Sequence, residues 1–91
     1  MSIIERIKAG KLDELDLLEY VTDNDINVAV AVAESEMATI PILDIAAHDR
    51  DRRVRFAAVN NPNISMKTLK FLLSDTDEEI ATIANKCLER R

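Results

Sequence analysis

The sequence predicts an all-α protein, a short α-solenoid of about three 26-residue helical-pair repeats with seven helices in all. Three observations predict it. The chain aligns on itself with a period of 26, so that "DNDINVAVAVAESE", "DRDRRVRFAAVNNP" and "DTDEEIATIANKCL" begin alike. Apolar columns recur within these segments at i, i+3 and i+4, the spacing of one helix face. Strands and hairpin turns are poorly supplied by a composition with 1 glycine, 2 prolines and 3% aromatic residues.

The elements follow in chain order. "SIIERIKAG" pairs Ser2 with Glu5 as a capping box, carries Ile3, Ile4 and Ile7 on one edge and ends on Gly10. The next helix starts after Asp13 and presents Leu17, Tyr20 and Val21. The third covers about 26–34, with Asp25 as N-cap and Val28, Ala31 and Val32 inward. Its "INVAVAVAES" alternates like a half-buried strand. The sister columns Val54, Ala57, Ala58 and Ile80, Ile83, Ala84 keep the helical spacing, which decides for helix.

Thr39 caps the fourth helix, which presents Leu43, Ala46 and Ala47 and places Pro41 in its first turn, where a missing N–H costs nothing. The fifth covers about 52–60 behind Asp51, and "NNPN" stops it. Pro62 forces Asn61 out of the helical region, and Asn60 or Asn61 suits a left-handed cap. Ser65 caps the sixth, with Leu69, Leu72 and Leu73 inward. Asp77 caps the seventh, at about 78–90. The organisation is N-terminal capping helices in 1–22, repeats in 23–48 and 49–74, and a C-terminal capping helix in 75–91. Polar outer faces at both ends are those of a complete short solenoid.

The stretch "VRFAAVNNPNISMKTLKFLLSDTDEEI", Val54 to Ile80, resembles the leucine-rich repeat variant family. Units of that family run as a Val-Arg helix start, an Asn-Pro break, a Ser/Thr-capped segment with a central leucine and an Asp-x-Asp link. The resemblance implies a right-handed superhelix similar to HEAT and armadillo proteins, with second helices that are sometimes 3₁₀. It departs at Ala29 and Ala81, where the family has arginine, and at Ser35-Glu36, where it has Asn-Pro. It implies an interaction scaffold and no single substrate, cofactor or reaction.

Chemistry is sparse in the sequence. Asp23, Asp25 and Asn27 fall at the spacing of a calcium loop, but Val28 stands where its sharp turn needs glycine, so the aspartates read as helix caps and no metal site is expected. His48 has no partner identifiable for catalysis and reads as a helix C-terminal residue bonding free carbonyls. Cys87 is the one cysteine and reads as a small core residue. No catalytic residue, cofactor or enzymatic activity is expected.

Charge is polarised. Residues 1–47 carry three basic and ten acidic groups, net −7, and 48–91 carry nine and seven, net +2. Arg50, Arg52, Arg53 and Arg55, with Lys67 and Lys70 on the next helix, could form a phosphate-binding strip. A pI near 4.8 and few aromatics disfavour nucleic acid. In the competing reading Arg55 pairs with aspartates at the junction between units and the other arginines are solvated. Val30, Phe56 and Thr82, one per unit, flanked by Arg52, Arg55 and Asn60, would line a surface for a protein partner, or else pack against neighbouring helices.

The expected function is a non-catalytic protein–protein interaction module, with nucleic-acid or phosphate-ligand binding through Arg50–Arg55 as the alternative. The expected setting is the cytoplasm, with no membrane contact, an unidentified protein partner, and a monomer or weak homo-oligomer. The N-terminus is not a secretory signal, and no apolar run is long enough to span a bilayer.

Overall fold

The structure, a computed structural model, describes residues 1–91. It contains seven α-helices and no strand: α1 Ile3–Lys8, α2 Glu14–Tyr20, α3 Ile26–Glu34, α4 Ile40–Ala47, α5 Arg52–Asn60, α6 Met66–Leu72 and α7 Glu78–Arg90. The expected bounds of α3, α5 and α7 are met to the residue. "INVAVAVAES" is therefore a helix with one extended residue after Glu34. The even-numbered helices are α-helical, not 3₁₀.

Helix starts are set by short polar side chains. Ser2 Oγ accepts from the Glu5 N–H and Glu5 Oε1 from the Ser2 N–H, each at 3.2 Å, which completes the capping box. Each Asp-x-Asp triplet makes two local bonds in series. Asp23, Asp49 and Asp75 each accept at 2.8 Å from the N–H of the second aspartate. Asp25, Asp51 and Asp77 then accept from N–H groups two residues on, at 3.0, 2.8 and 3.0 Å. The carboxylates thus satisfy donors that the first helical turn leaves free. Gly10 holds the one positive φ, 70°, where α1 turns towards α2.

Thr39 departs from its expected role. It sits at the N-cap of α4 without a side-chain cap bond, because its hydroxyl donates to the Glu14 carboxylate on α2 instead. The break at "NNPN" also differs from the expected left-handed cap. Asn61 is extended, with φ −79° and ψ 124°, and no residue other than glycine has positive φ. Pro62 restricts Asn61 to this region, where the helix ends.

Each odd helix packs on the next odd one, α1 on α3, α3 on α5 and α5 on α7, while α4 contacts both α5 and α6, and α6 contacts α7. The columns Val28, Val54, Ile80 and Val32, Ala58, Ala84 are buried, as are Leu17, Leu43 and Leu69. Ala29 and Ala33 are buried too. Because α3 has α1, α2, α4 and α5 around it, its buried arc is wider than the three columns. Its alanines let these axes approach closely. Ile83 and Leu73, expected inward, are half-buried and exposed respectively. Cys87 is half-buried against the core.

Polar side chains tie the breaks together. Asn61, 5% exposed, donates both Nδ2 hydrogens, to the Ala33 and Ser35 carbonyls at 2.9 Å. Its Oδ1 accepts from the Asn63 N–H at 2.9 Å. Asn63 Nδ2 donates to the Glu36 and Ala38 carbonyls at 2.9 and 3.0 Å. The break after α5 is thereby fastened to the break after α3. Asn61→Ala removes the donor to the Ala33 carbonyl, while the Ser35 carbonyl keeps the Ala38 N–H, and is expected to cost about 1–3 kcal/mol in urea unfolding. Asn63→Ala, at an exposed position, is expected to cost less, and equal losses would contradict this ranking.

Candidate functional site

The arginines do not form one strip. Arg55, 14% exposed at its side chain, pairs with Asp75, 6% exposed, through Nε to Oδ2 at 2.9 Å. Its Nη1 donates to the Asp49 and Arg50 carbonyls at 2.9 and 2.8 Å. The expected pairing at the junction is present, and the guanidinium closes the turn before α5 as well. At the position 26 residues earlier stands Ala29, so no arginine meets Asp49 from there.

The other arginines are exposed, as expected, but two of them are also ion-paired. Arg52 Nε donates to Asp77 Oδ2 at 2.6 Å and Nη2 to Glu79 Oε1 at 2.9 Å, which links α5 to the start of α7. Arg53 folds back on Asp51, with Nη2 to Oδ2 at 2.7 Å. The Arg53 hydrogen bond, reinforced by the Arg53 N–H, lowers the Asp51 pKa to about 2. Arg52 holds Asp77 below the usual carboxylate range, with help from the Ile80 N–H. Both guanidinium groups are raised in return by these bonds. Arg50, Lys67 and Lys70 are exposed and make no ion pair. Three of the six phosphate-binding candidates are therefore committed to carboxylates.

The candidate partner surface on the odd helices is partly occupied by packing. Val30 and Phe56 are half-buried against the core, and Thr82 is exposed. The Arg52 guanidinium carbon lies 5.3 Å from the centre of the Phe56 ring, a cation–π arrangement that covers the ring. Asn60 Nδ2 donates to the Phe56 carbonyl at 3.0 Å, within its own helix. A recess of about 160 Å³ remains, bordered by Glu34, Phe56 and Asn60.

The exposed apolar groups lie elsewhere. Past Met1, none of the exposed large hydrophobic side chains belongs to an odd helix. Leu15, Ile40, Ile45, Met66 and Phe71 sit on α2, α4 and α6, with Ile40/Met66 and Ile45/Phe71 at equivalent positions of the 26-residue period. Phe71, 48% exposed, stacks on His48 with ring centres 3.9 Å apart and planes 15° from parallel. His48 Nδ1 is 2.8 Å from the Asp44 carbonyl, the C-terminal role expected of it. The core spacing does not disclose these residues, because it marks only the buried side of each helix. The signal was present in apolar residues that recur off that spacing.

No group of three or more histidine, cysteine, aspartate or glutamate side chains is arranged to hold a metal ion. Every buried side-chain nitrogen and oxygen has a hydrogen-bond partner. The largest recess, about 670 Å³, is an open depression between the turns at Thr22–Asn24 and His48–Asp51, lined by one hydrophobic residue. No helix is long and apolar enough to cross a membrane. No family model, curated protein or solved structure matches the chain.

Two expectations follow for stability. Arg55→Ala leaves the Asp75 carboxylate buried and without its ion-pair partner, and chemical denaturation should show a loss of about 3 kcal/mol, against a much smaller one for the exposed Arg53→Ala. Asp51 and Asp77 have folded pKa values below their unfolded ones, so their stabilisation is full above the unfolded value and is lost as pH falls through the folded value. Urea midpoints should hold steady down to about pH 5 and decline from about pH 4 towards 2, more steeply than in Asp51→Asn/Asp77→Asn. Identical acid limbs would contradict the assignment.

Proposed function

We propose that the chain is a non-catalytic protein–protein interaction module of the cytoplasm. We also propose its finer architecture, a short right-handed α-solenoid with repeats at 23–48 and 49–74 between capping helices in 1–22 and 75–91, akin to leucine-rich repeat variant and HEAT-like arrays. Two facts support the repeat. Odd helices pack one on the next, and side-chain bonds between helical pairs join residues 20 to 29 positions apart, close to one sequence period.

One observation carries the functional reading, the exposed apolar side chains of α2, α4 and α6, among them Ile45 and a Phe71 stacked on His48. Exposed aromatic and aliphatic side chains that recur on neighbouring helices suit a partner surface. The strip of Val30, Phe56, Asn60 and Thr82 is the lesser candidate, since two of its members are packed. Phosphate binding through Arg50–Arg55 draws less support, because a phosphate would have to displace carboxylates from Arg52, Arg53 and Arg55.

Affinity capture tests the reading, with the full chain as bait, an untagged second copy present, and bound proteins compared between wild type and Ile45→Asp/Phe71→Asp. Bound protein should drop at least about tenfold in the variant, with circular dichroism unchanged, while Asn60→Arg/Thr82→Arg should have little effect. A captured set indifferent to Ile45 and Phe71, an empty set included, would contradict the reading.

A further inference from the structure

The partner of the α2, α4 and α6 face can be identified by its chemistry. Glu14 on α2 takes the Thr39 hydroxyl at the start of α4, and Asp44 on α4 accepts from Thr68 Oγ1 on α6 at 3.0 Å, so α4 lies between the other two. The two flanks of α4 carry opposite charge. The α2 segment contains Glu14, Asp16 and Glu19 and no cation, and all three are exposed. The α6 segment contains Lys67 and Lys70 and no acid, both exposed. None of these five groups has an ion-pair partner within the chain, whereas Arg52, Arg53 and Arg55 on the other side all do. Between the flanks α4 exposes Ile40 and Ile45, and Phe71 of α6 stacks on His48 at the end of α4.

We propose that this face binds a second copy of the chain, in a twofold-symmetric dimer with α4 at the axis and each α2 facing its partner's α6. The face is its own complement. A twofold rotation about α4 exchanges acid for base on both flanks and sets apolar against apolar in the middle, which closes the assembly at two copies. Asp44, the one acid on α4, is drawn towards α6 by Thr68 and away from the axis. The proposal rests on the reading that this face is an interaction surface, and adds what occupies it.

Sedimentation of the full chain from about 1 µM to about 1 mM, at low salt so that screening is weak, tests it through a charge swap. Wild type should pass from monomer to dimer. Lys67→Glu/Lys70→Glu makes both flanks acidic, and Asp16→Lys/Glu19→Lys, which keeps Glu14 on Thr39, makes both basic. Each variant alone should dimerise at least about tenfold more weakly, and an equimolar mixture should recover a 1:1 heterodimer of wild-type affinity. Melting curves check that both fold. A wild type monomeric throughout, or variants that do not complement each other, overturns the second copy as occupant. A monomer whose capture of another protein still depends on Ile45 and Phe71 overturns the dimer while leaving the surface reading intact. A dimer indifferent to Ile45→Asp/Phe71→Asp overturns both.

Discussion

The fold depends on the need to satisfy backbone carbonyls wherever a helix stops. A chain of seven helices in 91 residues has many helix ends, and a carbonyl left unpaired at a buried end costs free energy comparable to a lost hydrogen bond. Here the missing donors come from the following helical pair. Asn61 and Asn63 fasten to four carbonyls of the break after α3, and Arg55 reaches the two carbonyls of the turn before its own helix while binding Asp75 ahead of it. Stacking of one pair on the next is therefore specified by directional polar bonds as well as by apolar burial, which has no direction of its own.

That arrangement decides what the surface has left to offer. Arginines that hold carboxylates at helix starts and junctions are withdrawn from external ligands. The lysines of α6 and the acids of α2 are not tied in this way. Apolar residues on the odd helices go into close contacts between helices, with small side chains at the seam. The even helices pack on one side only, and their other side keeps Ile40, Ile45, Met66 and Phe71 in solvent. A 48% exposed phenylalanine stacked on a histidine has lost conformational freedom before any partner arrives, which favours binding by a preformed anchor.

Much of the helical layout was legible in the sequence, because helix starts are written in local chemistry. Asp25, Asp51 and Asp77 mark their helices within a residue, and the capping box at Ser2 and Glu5 forms as read. The opening run of alternating valines misleads only when read alone, since Val28 and Val32 are buried as in the sister columns while Val30 is half-buried. What the sequence did not reveal was non-local. Thr39 turns from its own helix to Glu14, Asn61 serves carbonyls 26 and 28 positions back, and Arg52 crosses to α7. None of these follows from residue type at short range. The exposed face of α4 and α6 was missed for another reason, since periodicity identifies the buried side of a helix and says nothing of apolar residues on the opposite side.

The central claim is that the even-helix face is the outward-acting surface of the molecule and the odd-helix face is committed to internal packing and ion pairs. Amide chemical shifts recorded as the full chain is concentrated test this most directly. The account predicts concentration-dependent shifts gathered on α2, α4 and α6, strongest near Glu19, Ile45, Lys70 and Phe71, with α3 and α5 unmoved. Shifts centred instead on Val30, Phe56 and Thr82 would contradict it, and none at any concentration would remove a second copy of the chain as the occupant of that face.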